Sequence, residues 1–88
     1  MKTIELKEKI QQLPLGYTKA IYQGKSYGVT RVDFNKGKSI KVYAEELGGN
    51  DFISLNYYST KTADIVKPCE MQMEKIIHFL MNLKLQNG

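Results

Sequence analysis

The most reactive side chains in this sequence are few, and each stands alone. Cys69 is the one cysteine and His78 the one histidine. Cys69 comes two residues after Lys67 and just ahead of a helical pattern, where the positive end of a helix would favour its thiolate. The adjacent Glu70 opposes this, and a nucleophilic cysteine needs a base within reach. On helical numbering His78 falls with Met71, Glu74, Lys75 and Asn82 on a polar side, which argues against a buried pair with Cys69. The reading that results is a small packed residue for Cys69 and a solvated one for His78.

Metal, phosphate-loop and carboxylate-pair chemistry have less support still. One Cys and one His do not make a tetrahedral zinc site, so no metal or cofactor is expected. Gly48-Gly49 lacks the Lys-Ser or Lys-Thr of a phosphate-binding loop and precedes a strand pattern, so it reads as a turn. Glu45 and Glu46 are neighbours on a strand and point to opposite faces. Met73 reads as a core filler. A non-enzymatic module is therefore the leading expectation, with Cys69 the sole catalytic alternative.

Charge points to a different kind of chemistry. The chain of 88 residues carries 13 basic and 9 acidic side chains, a net charge of +4. Between Leu15 and Ala44 the basic residues are Lys19, Lys25, Arg31, Lys36, Lys38 and Lys41 against the single acid Asp33, a local excess of five positive charges. The same stretch holds tyrosines. Lysine or arginine beside flat aromatic rings suits single-stranded nucleic acid, whose phosphates and unpaired bases match the two side-chain types.

These residues need elements to hold them, and the periodicity supplies a plan. Leu6, Ile10 and Leu13 recur at helical spacing from Thr3 to Leu13, and Pro14 stops that helix. From Gly16 to Tyr58 the period becomes two, giving strands at Tyr17 to Gln23, Ser26 to Asn35, Ser39 to Leu47 and Phe52 to Ser59. Their links are Gly24-Lys25, Lys36-Gly37 and Gly48-Gly49-Asn50-Asp51. Ile65-Val66, stopped by Pro68, suggests a short fifth strand at an edge. Met73, Ile76, Ile77, Leu80 and Leu83 then form a broad helical stripe. The expected fold is α+β in a single domain over 1–88: a helix, a four- or five-stranded antiparallel meander, and a second helix, both helices on one sheet face.

Splitting each strand by alternation gives two unequal faces. Val32 with Phe34, Ile40 with Val42 and Ala44, and Ile53 with Leu55 and Tyr57 are assigned to the core. The other face receives Tyr27, Val29 and Arg31, Lys41 and Tyr43, and Phe52, Ser54, Asn56 and Tyr58. The expected nucleic-acid-binding set is Lys19, Lys25, Tyr27, Arg31, Lys36, Lys38, Lys41, Tyr43 and Tyr58. Two other readings use the same face: tyrosines packing across strands to stabilise the sheet, or a protein interaction surface, homodimeric in the simplest case. The first strand resists sorting, because both of its sides carry apolar atoms.

The segments Pro-Leu-Gly-Tyr at 14–17, Lys-Ser-Tyr-Gly-Val-Thr at 25–30, Val-Tyr-Ala-Glu-Glu-Leu-Gly-Gly-Asn-Asp-Phe-Ile-Ser at 42–54 and Lys-Pro-Cys-Glu-Met at 67–71 resemble a family of short bacterial proteins often labelled peptide methionine sulfoxide reductase. The resemblance covers nearly the whole chain, and that label implies a thiol-dependent reductase with Cys69 as nucleophile. The Gly-Cys-Phe-Trp and Arg-His-Cys motifs of the known reductases do not occur in this sequence. A looser similarity, in the strand meander, Gly37-Lys38-Ser39-Ile40-Lys41-Val42 and Phe79-Leu80 in the closing helix, is to single-stranded nucleic-acid-binding modules of the PUR and PC4 type. It implies a dimer and carries over no binding residue. No apolar run reaches the roughly 18 residues that span a bilayer, and a lone cysteine fits a reducing compartment, so a cytoplasmic location without membrane contact is expected.

Overall fold

A computed structural model describes residues 3–86. The chain forms α1 (Thr3–Gln12), β1 (Gly16–Tyr22), β2 (Lys25–Phe34), a 3-10 turn (Asn35–Gly37), β3 (Ser39–Glu46), β4 (Phe52–Ser59), β5 (Asp64–Pro68), α2 (Met73–Asn82) and β6 (Lys84–Leu85). The class is α+β, but the sheet has six strands rather than the four or five expected. They lie in the order β5-β4-β3-β2-β1-β6, all neighbours antiparallel. The unexpected strand is β6, where Leu85 and Lys84 pair with Ala20 and Ile21. Two residues directly after a helix offer no alternation to read, so only the tertiary pairing reveals them.

The hairpins follow from local chemistry. Tyr22 pairs with Lys25, leaving Gln23-Gly24 as a two-residue loop, one position earlier than Gly24-Lys25. Both loop residues have positive φ, 54° and 75°, the geometry of the turn that matches strand twist and that glycine permits. Since β5 and β6 occupy opposite edges, the segment through α2 must cross the whole sheet to deliver β6. That crossing lays α2 over the face already occupied by α1, and the helices touch each other, β4 and β5.

The covered face holds the core. Ile40, Val42 and Ala44 of β3 and Ile53, Leu55 and Tyr57 of β4 are buried there, beneath Leu6 and Ile10 of α1 and Ile76, Phe79 and Leu80 of α2. Burying a side chain the size of Phe79 stabilises the fold by about 1.5–3 kcal/mol. In β2 the assignment of faces is the reverse of the expected one. Tyr27 and Val29 are 2% and 1% exposed, whereas Val32 and Phe34 are 42% and 53% exposed. Register decides this: Val29 lies opposite Ala44 and Arg31 opposite Val42, so the odd-numbered residues of β2 share a side with the core of β3. The sequence of β2 is apolar on both sides, and alternation alone cannot choose between them.

Among the described residues no helix is long and apolar enough to cross a membrane.

Candidate functional site

Directly paired residues share a face, so the registers lay out the face that the helices leave open. One row across the sheet is Tyr17, Thr30, Tyr43 and Ser54, on β1 to β4. The next is Val32, Lys41, Asn56 and Lys67, and beyond it Phe34, Ser39, Tyr58 and Ile65, both on β2 to β5. On the other side of the tyrosine row lie Lys19, Gly28, Glu45 and Phe52. Of the eight large apolar side chains that are exposed among the described residues, six (Tyr17, Val32, Phe34, Tyr43, Tyr58 and Ile65) stand on this face. Four of the six are aromatic.

Two contacts set the posture of the rings. Tyr17 lies across Gly28 of the neighbouring strand, where an added Cβ would come within 2.6 Å of its hydroxyl. The absence of a side chain at Gly28 lets the ring lie down on the sheet. Tyr43 stacks on Phe52 with ring centroids 6.3 Å apart and planes at 29°. The Lys75 ammonium stands 5.8 Å from the Phe52 ring centre, within reach of a cation–π contact.

Charge is sorted between the faces. The ion pairs Lys7–Asp64, Lys25–Glu46, Arg31–Asp33 and Lys75–Asp51 all lie on the helix side or its rim. Lys19, Lys41, Lys67 and Lys84 project from the open face, and among the described residues none of them is in an ion pair. Lys36 sits in the β2–β3 turn and Lys38 directly follows it, beyond Phe34. The open face is thus both aromatic and cationic, with Glu45 and Glu70 its acidic members.

Three of the residues expected at this site stand elsewhere. Tyr27 is buried on the helix side, its hydroxyl donating to Asp51 Oδ2 at 2.8 Å and its ring edge-on to Tyr22 and Phe79. Burial first, then that hydrogen bond, pushes its phenol well above the ordinary tyrosine range. Arg31 is a structural clamp: it donates to both carboxylate oxygens of Asp33 at 2.9 Å and to the Gln11 and Leu13 carbonyls at 3.1 and 2.7 Å, holding the end of α1. Lys25 faces Glu46 on the helix side at 3.8 Å. The structure brings Lys19, Lys41, Tyr43 and Tyr58 onto one surface with Lys36 and Lys38 at its end. It adds Tyr17, Phe34, Lys67 and Lys84. Tyr17 and Phe34 were obscured because β1 and β2 are apolar on both sides, Lys67 because β5 gives a weak pattern, and Lys84 because β6 gives none.

Cys69 also opens on this face, in a pocket of about 360 Å³ lined by Lys41, Tyr43, Phe52, Ser54, Cys69 and Glu70. Its backbone N–H donates to the Ser54 carbonyl at 2.9 Å, fixing it beside β4. The sulfur accepts from Asn56 Nδ2 at 3.2 Å and from Lys41 Nζ at 3.8 Å. His78 is exposed on α2, hydrogen-bonded through Nδ1 to the Tyr22 hydroxyl on the opposite side of the sheet. The two residues do not meet, and a Cys-His pair is not formed. Among the described residues no group of three or more His, Cys, Asp and Glu is arranged to hold a metal ion.

No family model, no curated protein and no solved structure matches this chain.

Proposed function

We propose that the protein is a binding module that takes single-stranded DNA or RNA across the open face of its sheet. The observation that carries this reading is the coincidence of exposed rings with unpaired lysines on the one sheet face the helices leave bare. Tyr17, Tyr43, Phe34 and Tyr58 offer flat surfaces on which bases stack, each contact contributing about 1–3 kcal/mol. Lys19, Lys41, Lys67 and Lys84 stand between or beside these rings, where they neutralise backbone phosphates.

A single strand fits this surface better than a duplex does. The rings are useful only to bases whose faces are open, and α1 and α2 are engaged with the sheet rather than free to enter a major groove. Preference among sequences is expected to be weak, because every base has a face to stack.

The test is a fluorescence titration with a labelled single-stranded oligonucleotide at two salt concentrations. Binding that weakens as salt rises, and that weakens again in Tyr43→Ala, supports the reading. Absence of binding at low salt overturns it.

A further inference from the structure

Stacking is indifferent to sequence, yet one pocket on the open face offers more than rings. It encloses about 360 Å³, the scale of one small ligand, and Lys41, Tyr43, Phe52 and Glu70 are among the residues that line it. Lys41 and Glu70 bring opposite charges to this wall, and among the described residues neither is in an ion pair. Glu70 runs against the character of the face, because an anion here repels phosphates and lowers affinity for any nucleic-acid backbone. Its φ is 61°, in the left-handed region, which a residue other than glycine keeps only where its surroundings hold it. The preceding backbone N–H, that of Cys69, donates to the Ser54 carbonyl at 2.9 Å and ties this segment to β4. A carboxylate can only accept hydrogen bonds, so what it suits in the pocket is a donor.

From this placement we infer that the pocket is a guanine subsite, an inference that rests on single-stranded nucleic acid being the ligand of the face. Along its Watson–Crick edge guanine offers one acceptor, O6, and then two adjacent donors, N1–H and the 2-amino group. Adenine and cytosine offer an amino group with no ring N–H beside it, and thymine or uracil a lone N–H. The two oxygens of Glu70 accept from the guanine pair, the fork that a carboxylate presents to two parallel donors. Lys41 donates to O6, a contact that lysine makes with guanine. Tyr43 and Phe52 give the base a flat wall. In strands without guanine, Lys41 serves a phosphate. The subsite makes one position of a bound strand selective and leaves the others tolerant.

The experiment titrates the protein at low salt with labelled thymidine-only strands that carry one central deoxyguanosine, deoxyinosine or deoxyadenosine. Deoxyadenosine controls for the stronger stacking of a purine, and deoxyinosine keeps N1–H and O6 but lacks the 2-amino group. The deoxyguanosine strand is expected to bind about tenfold tighter than the deoxyadenosine strand, the scale of one bidentate base contact, with the deoxyinosine strand between them. Glu70→Ala should erase the difference and bind the deoxyadenosine strand no less tightly, because an anion has left the face. Equal affinity for all three strands, or a guanine preference that survives Glu70→Ala, overturns the inference and leaves the single-strand reading standing. Failure of every strand to bind overturns both.

Discussion

Tyr17 and Gly28 form an interlocking pair: the tyrosine ring occupies the space that a side chain at position 28 would need, 2.6 Å from its hydroxyl. The consequence is a ring lying along the sheet and still 59% exposed, the posture in which a base can stack on it. Gly28→Ala should therefore lift the ring. Since the clash is with the free end of an exposed side chain, the fold should tolerate the change, with a stability cost within about 0.5 kcal/mol. Oligonucleotide affinity should fall by about 1 kcal/mol, the low end of one stacking contact. Parallel urea denaturation and binding titrations check both numbers.

The two faces of β2 and β3 should separate binding from folding. Tyr43→Ala removes a ring from the open face and should weaken oligonucleotide binding by about 1–3 kcal/mol. Tyr27→Phe removes the buried hydroxyl that donates to Asp51. It should cost about 1 kcal/mol of stability, the net worth of such a bond, and leave affinity unchanged. Equal effects of the two substitutions on affinity would show that the faces are not distinct.

Lysines should be sorted in the same way by salt. Replacing Lys19, Lys41 or Lys67 with Gln should each reduce the slope of log affinity against log salt by about 0.7, the value for one phosphate contact on a single strand. Arg31→Ala should leave that slope unchanged. It should destabilise the protein instead, because it unties Asp33 and the carbonyls at the end of α1.

The pH dependence of stability follows from groups on the helix side. The Lys75 ammonium, and after it the Tyr27 hydroxyl, hold the Asp51 carboxyl below its usual range against the opposing effect of burial. A carboxylate depressed in the folded state contributes stability that is full above its unfolded pKa, about 4, and is lost as pH falls through the folded value. Asp51→Asn should therefore flatten the acid limb of a plot of urea midpoint against pH, and cost about 1 kcal/mol at neutral pH, as a partly exposed ion pair does. On the alkaline side Tyr22, Tyr27 and Tyr57 are all raised, burial being the first cause in each. Their contribution is present below about pH 10, the unfolded tyrosine value, and declines as pH rises past it.

Much of the fold was legible because its signals are local. Pro14 after the Leu6, Ile10, Leu13 stripe marks the end of α1, and turn residues punctuate the strands from Gly16 to Ser59. The faces of β3 and β4 were readable too, since Ile40, Val42 and Ala44 alternate with Lys41 and Tyr43. What failed depends on pairing. In β2, Tyr27 and Val29 compete with Val32 and Phe34, and the register with Ala44 and Val42 decides between them. The placement of Tyr27, Arg31 and Lys25 inherited that ambiguity. Lys84 joined the open face only through β6, and Cys69 met Lys41 and Asn56 only because β5 lies beside β4.

The most direct measurement of the central claim is an amide and side-chain chemical-shift titration of the isotope-labelled protein with a short single-stranded oligonucleotide at low salt. The resonances expected to shift are those of Tyr17, Thr30, Lys41, Tyr43, Asn56 and Tyr58, on the open face, while those of α1 and α2 stay in place. Shifts that gather on the helices, or a spectrum the oligonucleotide leaves unchanged, would contradict it.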